Sequence, residues 1–282
     1  MGGVAAGKAE RAVWLAGIGP DLVSYAFDPR TGQLTRGAQL RLSAPVQYLW
    51  QHRDRHTLYV SSSNGGPDGN GGMARATRAD LHVLDAVRLT SAGGLSLHGA
   101  SVPLRQRPIH NTLDAASRHV LVSFRMEGEE LAPLPTSRVP TLRNLDFLHP
   151  LQMASTLHVH PNGRFVYGAN RVNSLDEAAA PQAGEDSIVA CAFDAATGQL
   201  DRLQVIDTVG RHPRTFAIDP SGRWLVAGNK SPVVQQGGSV VPASLDVFAI
   251  GDDGRLTLAH SLALDMPPEA SMFWSGFVSL PA

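Results

Sequence analysis

YAFDPRTGQLTR (residues 25–36) and CAFDAATGQLDR (residues 191–202) align without a gap. Each is an apolar run, a glycine-containing turn and a second short run, the pattern of two antiparallel strands joined by a hairpin. FAIGDDGRLTL (248–258) repeats it with a turn one residue shorter, and GGLSLHG (93–99) marks a fourth copy. A second module, HPNGRFVYGANR (160–171), matches DPSGRWLVAGNK (219–230), again without gaps, with weaker copies at HRDRHTLYVSSS (52–63) and LDAASRHVLVSFR (113–125). Together the two modules make a four-stranded unit. No stretch has the periodicity of an amphipathic helix, so repeats of this size predict an all-β propeller of four-stranded antiparallel blades rather than a helical solenoid.

Working outward, units at 21–63, 81–125, a degenerate 141–171 and 187–230 leave a further one. It would take its first strands from 245–264, another from MFWSGFVSL (272–280), and AVWLAGI (12–18) as the N-terminal strand closing the last blade. That gives about five blades with no exposed circular edge. Residues 1–11 are expected to be a flexible N-terminus and 12–282 a single propeller domain; 64–79, 126–140, 172–186 and 231–244 read as long loops rich in Gly, Pro, Ala and polar residues.

The chain's 24 Lys and Arg stand against 25 Asp and Glu, a net charge of −1, so no global field argues for nucleic acid or an anionic membrane. Cys191 is the only cysteine, which fits a reducing compartment. The opening MGGVAAGKAERAVWLAG lacks a basic-then-apolar signal pattern, and no apolar run reaches the roughly 18 residues of a membrane helix. A cytoplasmic protein is expected.

Aligning the second module on its turns brings Arg125, Arg171 and Lys230 to one position, eight residues beyond Ser117, Gly163 and Gly222, with Ser62 in the remaining unit. Equivalent positions in a propeller ring its axis, so a repeated cation predicts a positive rim at one end of the channel. The strand before each turn gives a second column: Pro45-Val46-Gln47, Pro108-Ile109-His110, Ala154-Ser155-Thr156 and Pro213-Arg214-Thr215. Guanidinium forks bind carboxylate or phosphate through paired hydrogen bonds and an ammonium adds a less directional charge, so a small anion is the expected ligand. Asn170 and Asn229 sit beside the cation column and His212 precedes Pro213, which makes all three candidate ligand contacts. Each has an ordinary structural use as well, in turns and strand ends. His158 and His160 share a strand face at metal-ligand spacing, but the HPNG turn accounts for His160 and no third ligand is identifiable, so no metal and no cofactor are expected. The four tryptophans read as blade packing.

HVHPNGRFVYGANR, HPRTFAIDPSGRWLVAGNK and the recurring TGQL turns resemble the seven-bladed lactonase propellers, the family of 6-phosphogluconolactonase and the carboxymuconate-lactonising enzymes. The resemblance implies that the Pro213-Arg214-Thr215 strand is innermost and that Arg214 and His110 face the channel. It covers nearly the whole chain, most specifically 153–278. This sequence departs from the family by about two central blades. The GPRH segment, the Asn-Glu pair and the His-x-His element of those blades have no clear counterpart, and the deletion falls between 126 and 150, with LRNLDFLHP (142–150) as a remnant. The resemblance implies opening of a small anionic, sugar or phosphosugar, lactone. His110 would be the base, Arg171 and Arg214 would stabilise the oxyanion or hold the anion, and Arg125, Lys230, Asn170, Asn229 and His212 would contact substrate. The missing acidic residue leaves a second function open, a non-catalytic anion-binding or interaction propeller; a metal-dependent lactonase ranks last. An incompletely closed ring would expose apolar blade faces and associate as a homodimer.

Overall fold

The computed structural model describes residues 12–64, 81–104, 108, 110–113, 120–123, 139–145, 149, 151–173, 184–194, 196–197, 199–235, 237–267 and 270–281, with backbone alone for 110–113 and 120–123. The N-terminal segment 1–11 lies outside them. The strands are β1 (Ala12–Ile18), β2 (Asp21–Phe27), β3 (Leu34–Arg41), β4 (Val46–Gln51), β5 (Thr57–Ser63), β6 (His82–Leu89) and β7 (Leu95–Leu97). Next come β8 (Val102–Pro103), β9 (His110–Leu113), β10 (Val120–Ser123), β11 (Gln152–Val159), β12 (Phe165–Val172), β13 (Ser187–Asp194) and β14 (Gln199–Asp207). The chain ends with β15 (Pro213–Ile218), β16 (Trp224–Asn229), β17 (Val233–Val234), β18 (Val240–Val241), β19 (Ser244–Ile250), β20 (Leu256–Ala263) and β21 (Met272–Ser279). Among the described residues there is no helix, and hence none long and apolar enough to cross a membrane.

The sheets run β21-β1-β2-β3, β4-β5-β6-β7 with β8 also on β6, β11-β12-β13-β14, and β15-β16-β19-β20; β9 with β10 and β17 with β18 form two-stranded antiparallel sheets. These are the antiparallel blades of a propeller. Their first strands adjoin in the order β9, β4, β21, β15, β11, which makes them the inner strands. Two differences from the sequence reading stand out. Residues 245–264 supply β19 and β20 to the sheet of β15 and β16, because the long loop after β16 returns alongside it; the closing sheet instead takes β1, β2 and β3 with the C-terminal β21. The sheets β4-β5-β6-β7, β11-β12-β13-β14 and β15-β16-β19-β20 begin with the module containing the HPNG-type turn and end with the TGQL-type hairpin, so the units counted along the sequence straddle blade boundaries by half a blade.

The alternation of side chains along a strand explains the packing. In β1, Val13 and Leu15 enter one core with Leu22, Val46, Leu49, Leu58 and Val60, whereas Trp14, Ala16 and Ile18 enter another with Val226, Leu245 and Val247. Both faces are buried, which is why AVWLAGI is apolar throughout instead of alternating. A third core joins Phe165, Tyr167 and Ile188 to Phe216, Leu225 and Phe248. Trp14 and Tyr167 are fully buried, each burial contributing on the order of 2 to 3 kcal/mol. Trp14 also meets Phe277 edge-on at 4.9 Å, and Trp224 donates its indole N–H to the Pro29 carbonyl of the next blade at 3.0 Å.

The turns recur as closely as the strands. Gly163, Gly222 and Arg55 all have left-handed φ (71°, 73° and 62°), and each donates its N–H three residues back, to His160, Asp219 and His52. Gly222 lies against the neighbouring blade: a Cβ there would stand 2.8 Å from the His160 ring, whose Nε2 is 2.7 Å from the Gly222 carbonyl oxygen. Gly222→Ala is therefore expected to destabilise the protein by about 2 kcal/mol, through left-handed strain and overpacking together. Urea midpoints of the two proteins measure this, and equal midpoints would show that the two blades part at little cost.

Candidate anion site at one end of the channel

The inner strands share a defect. Their ladders to the second strand slip between Val46 and Tyr48, Ala154 and Leu157, and Pro213 and Thr215, and β21 passes from Met272 to Trp274 against consecutive residues of β1. Gln47, Ser155 with Thr156, Arg214 and Phe273 are thus left out of the ladders at one height around the axis. A bulge re-aims the side chain it carries. Here it sets Arg214 beside Phe273: the guanidinium Nε donates to the Phe273 carbonyl at 3.1 Å and its carbon lies 4.9 Å from the ring centroid. Lys230, which follows β16, holds its ammonium 5.0 Å from the same centroid. One aromatic ring supports two cations of the neighbouring blade.

Arg171 completes the group from β12. It is 8 % exposed, its Nη1 donates to Asn173 Oδ1 at 3.4 Å, and Nη1 also contacts His212 Nε2. A guanidinium can only donate, so this Nε2 accepts and the imidazole proton belongs on Nδ1. His212 is completely buried, adopts a left-handed φ of 61°, and accepts the Lys230 N–H on its carbonyl at 3.0 Å. Burial, followed by the charges of Arg171, Lys230 and Arg214, pushes its pKa down to about 2, against a small opposing contribution from the Val172 backbone. Burial likewise lowers the pKa of Arg171, partly offset by Asp186. That carboxylate is 7 % exposed, accepts the Val172 N–H at 2.9 Å and lies 3.9 Å from Arg211.

Three of the sequence candidates therefore converge around His212: Arg171, Arg214 and Lys230. The side-chain amides of Asn170 and Asn229 donate to neighbouring protein groups, while Asn229 Oδ1 is buried without a partner among the described residues. Asn170 Nδ2 donates to the Thr141 carbonyl at 2.8 Å and Ser187 Oγ at 3.2 Å, and Asn229 Nδ2 to Ser244 Oγ at 2.8 Å and Asp246 Oδ2 at 2.7 Å. His110 heads β9, paired with Ser123, but its side chain, like Arg125, lies outside the described residues. The serine of the cation column shifts by one: counted from the left-handed Arg55, Ser63 and not Ser62 matches Arg171 and Lys230, and Ser63 N–H donates to Pro45 as Lys230 N–H does to His212. The turn is one residue out of step in the sequence because Arg, not Gly, occupies its left-handed position. The same shift makes Val46 the equivalent of Pro213.

Sequence reasoning missed Phe273 and Asp186. A bulge has no sequence signature, so Phe273 could be found only by counting ladder positions. Below the cations the channel opens into a cavity of about 380 Å³ lined by Tyr48, Trp50, Thr156, His158, Thr215 and Trp274, among others. Trp50 is 41 % exposed there rather than packed between blades. His160 serves its turn, its Nδ1 3.2 Å from the Asn162 N–H, and His158 packs edge-on to Phe216 at 5.0 Å. Among the described residues no three potential ligands gather for a metal.

A histidine with so low a proton affinity in the folded state makes stability depend on pH in a definite direction. His212 takes a proton in the unfolded chain near its ordinary 6.5 but not in the fold until about 2. The unfolded state binds more protons throughout that window, so stability falls as pH falls below about 6.5, the loss reaching about 3 kcal/mol by pH 4.5. Urea unfolding of wild type and His212→Asn across this range should show the acid slope reduced in the variant; equal slopes would assign acid sensitivity to other groups.

Residues 134–235 match the family model described as "Lactonase, 7-bladed beta-propeller". The chain is 36% identical over 77 residues to a 6-phosphogluconolactonase of Formosa agariphila, covering 27% of this chain and 19% of the relative. It is 35% identical over 107 residues to that of Bacillus subtilis, covering 38% and 25%. These matches thus span a quarter or less of those two relatives. A 6-phosphogluconolactonase of Pectobacterium carotovorum is 23% identical over 266 residues, 89% of this chain and 68% of the relative. A Bacteroides fragilis crystal structure, provisionally named a 6-phosphogluconolactonase, superposes with a TM-score of 0.62 at 13% identity, over 97% of this chain and 99% of that one. At that identity the superposition speaks for the propeller fold alone.

Proposed function

We propose that this chain, a relative of the lactonase-type propellers, hydrolyses a small anionic lactone at the Arg171, Arg214 and Lys230 cluster. The observation that carries this reading is the gathering of three cations from two adjacent blades at one end of a channel, around a histidine that burial and those cations keep neutral. Ester opening needs an activated water, a donor for the oxyanion that forms when water adds to the carbonyl, and a proton for the departing ring oxygen. Arg171 supplies the oxyanion donor, while Arg214 and Lys230 hold the substrate's phosphate or carboxylate. His110, on an inner strand, is the proposed base. His212 is unsuited to that task, since a group with a pKa of about 2 draws little proton from water at neutral pH. A phosphorylated sugar lactone is the substrate class that the named relatives suggest. A cytoplasmic location, no nucleic-acid or membrane partner, no cofactor, and a homodimer only where the ring is incompletely closed belong to the same reading.

The test is pH-stat hydrolysis of a panel of lactones that includes 6-phosphogluconolactone, with spontaneous opening subtracted and with chelator added. Chelator-insensitive turnover of anionic lactones is expected. Tight binding of a lactone or its product by folded protein, without turnover above background, would instead establish a non-catalytic anion-binding propeller.

A further inference from the structure

We propose that His212 is a positioning residue of this site, which as a neutral acceptor holds Arg171 and which takes up one proton when a dianion binds. The proposal rests on the anion-site reading above. Its basis is the placement of the ring: completely buried, with Nε2 against Arg171 Nη1, in a backbone conformation unusual for a residue other than glycine. Among the described residues, the charged groups that face this corner come from several elements around it. Arg171 is on β12, Asp186 precedes β13, Arg211 precedes the histidine, Arg214 is on β15, and Lys230 follows β16. Among the described residues the cations here outnumber the one carboxylate, which accepts the Val172 N–H and lies 3.9 Å from Arg211.

Consider what a dianion changes. Two negative charges among Arg171, Arg214 and Lys230 cancel most of the field that opposes a positive imidazole, and the effect is large where water is excluded. The proton comes from solvent and is bound at Nε2, which then donates instead of accepting. It can no longer accept from Arg171, so the guanidinium is released to turn its fork on the anion. The neutral imidazole thus holds the arginine in place, and the proton exchanges one partner for another. Binding of a dianion becomes linked to pH through His212.

Sulfate is the appropriate probe because it remains a dianion across the relevant range. Calorimetric titration of the intact protein with sulfate at about pH 5, in buffers of different ionisation enthalpy, reads the protons taken up. Uptake approaching one proton per sulfate is expected, with Kd rising by up to about tenfold per pH unit as pH increases. His212→Asn should bind sulfate with no such uptake and a nearly flat pH profile. Binding without proton uptake overturns this proposal and leaves the anion site standing, whereas no sulfate binding overturns both. The buffer comparison on the unaltered protein decides the question even where the variant does not fold.

Discussion

Arg171→Met is expected to lower kcat/KM for the lactone by about 100-fold or more, with the fold intact. Removing one preorganised donor from an oxyanion site typically costs about 10² to 10³ in rate, and Arg171 is the buried guanidinium of the cluster around His212. Methionine keeps much of the arginine's apolar stem, so the packing contribution is largely retained. Two effects on stability oppose each other, since the substitution removes one cation from a crowded cluster but leaves the buried His212 Nε2 without its donor, so little net change is expected. Lys230→Met, which removes a less directional charge, should lose only about tenfold, mostly in KM. The pH-stat assay and a thermal melt measure both. Wild-type turnover by a folded Arg171→Met protein would sink the assignment of this site.

The second large effect concerns Asp246, which touches no ligand candidate directly except Asn229. It is completely buried and saturated: Oδ2 accepts the N–H groups of Val209 and Gly210 at 2.7 and 3.3 Å and Asn229 Nδ2 at 2.7 Å. Oδ1 accepts the hydroxyls of Ser244 at 2.9 Å and Ser261 at 2.6 Å. Asp246→Ala leaves most of these donors without an acceptor, and a loss of about 3 to 5 kcal/mol is expected, or a Tm lower by about 5 to 8 °C. Val209 and Gly210 lead into His212, and Asn229 precedes Lys230, so sulfate affinity should weaken in the same variant. Calorimetric melting and sulfate titration report the two effects. A Tm unchanged within about 2 °C would mean that water replaces the carboxylate at this junction.

Much of this molecule could be read before its coordinates. The paired TGQL hairpins and the HPNG-type turns announced short antiparallel strands in repeated units, because turn chemistry and strand alternation are local properties. The cation column came from the same source: Arg171 and Lys230 stand at equal distance from Gly163 and Gly222, and equal distance from equivalent turns is equal height on the axis. The column failed at Ser62 because an arginine in a left-handed turn position hides the register. The strands at 245–264 were placed in the wrong sheet for a different reason, since strand pairing across a long loop is a nonlocal choice.

By itself, then, the sequence determined the all-β class, the hairpin turns, and the recurrence of Arg and Lys at the end of the second strand of successive blades. Only the tertiary structure decided which sheet each strand joins, that bulges turn Arg214 and Phe273 toward one corner, and that the Asn170 and Asn229 amide groups donate to Thr141, Ser187, Ser244 and Asp246. It alone also decided the state of His212. A histidine before a proline carries no charge information in a string of residues. Burial, with Arg171, Lys230 and Arg214 brought in from separate strands, makes it neutral, since a pKa is set by what surrounds the group in space.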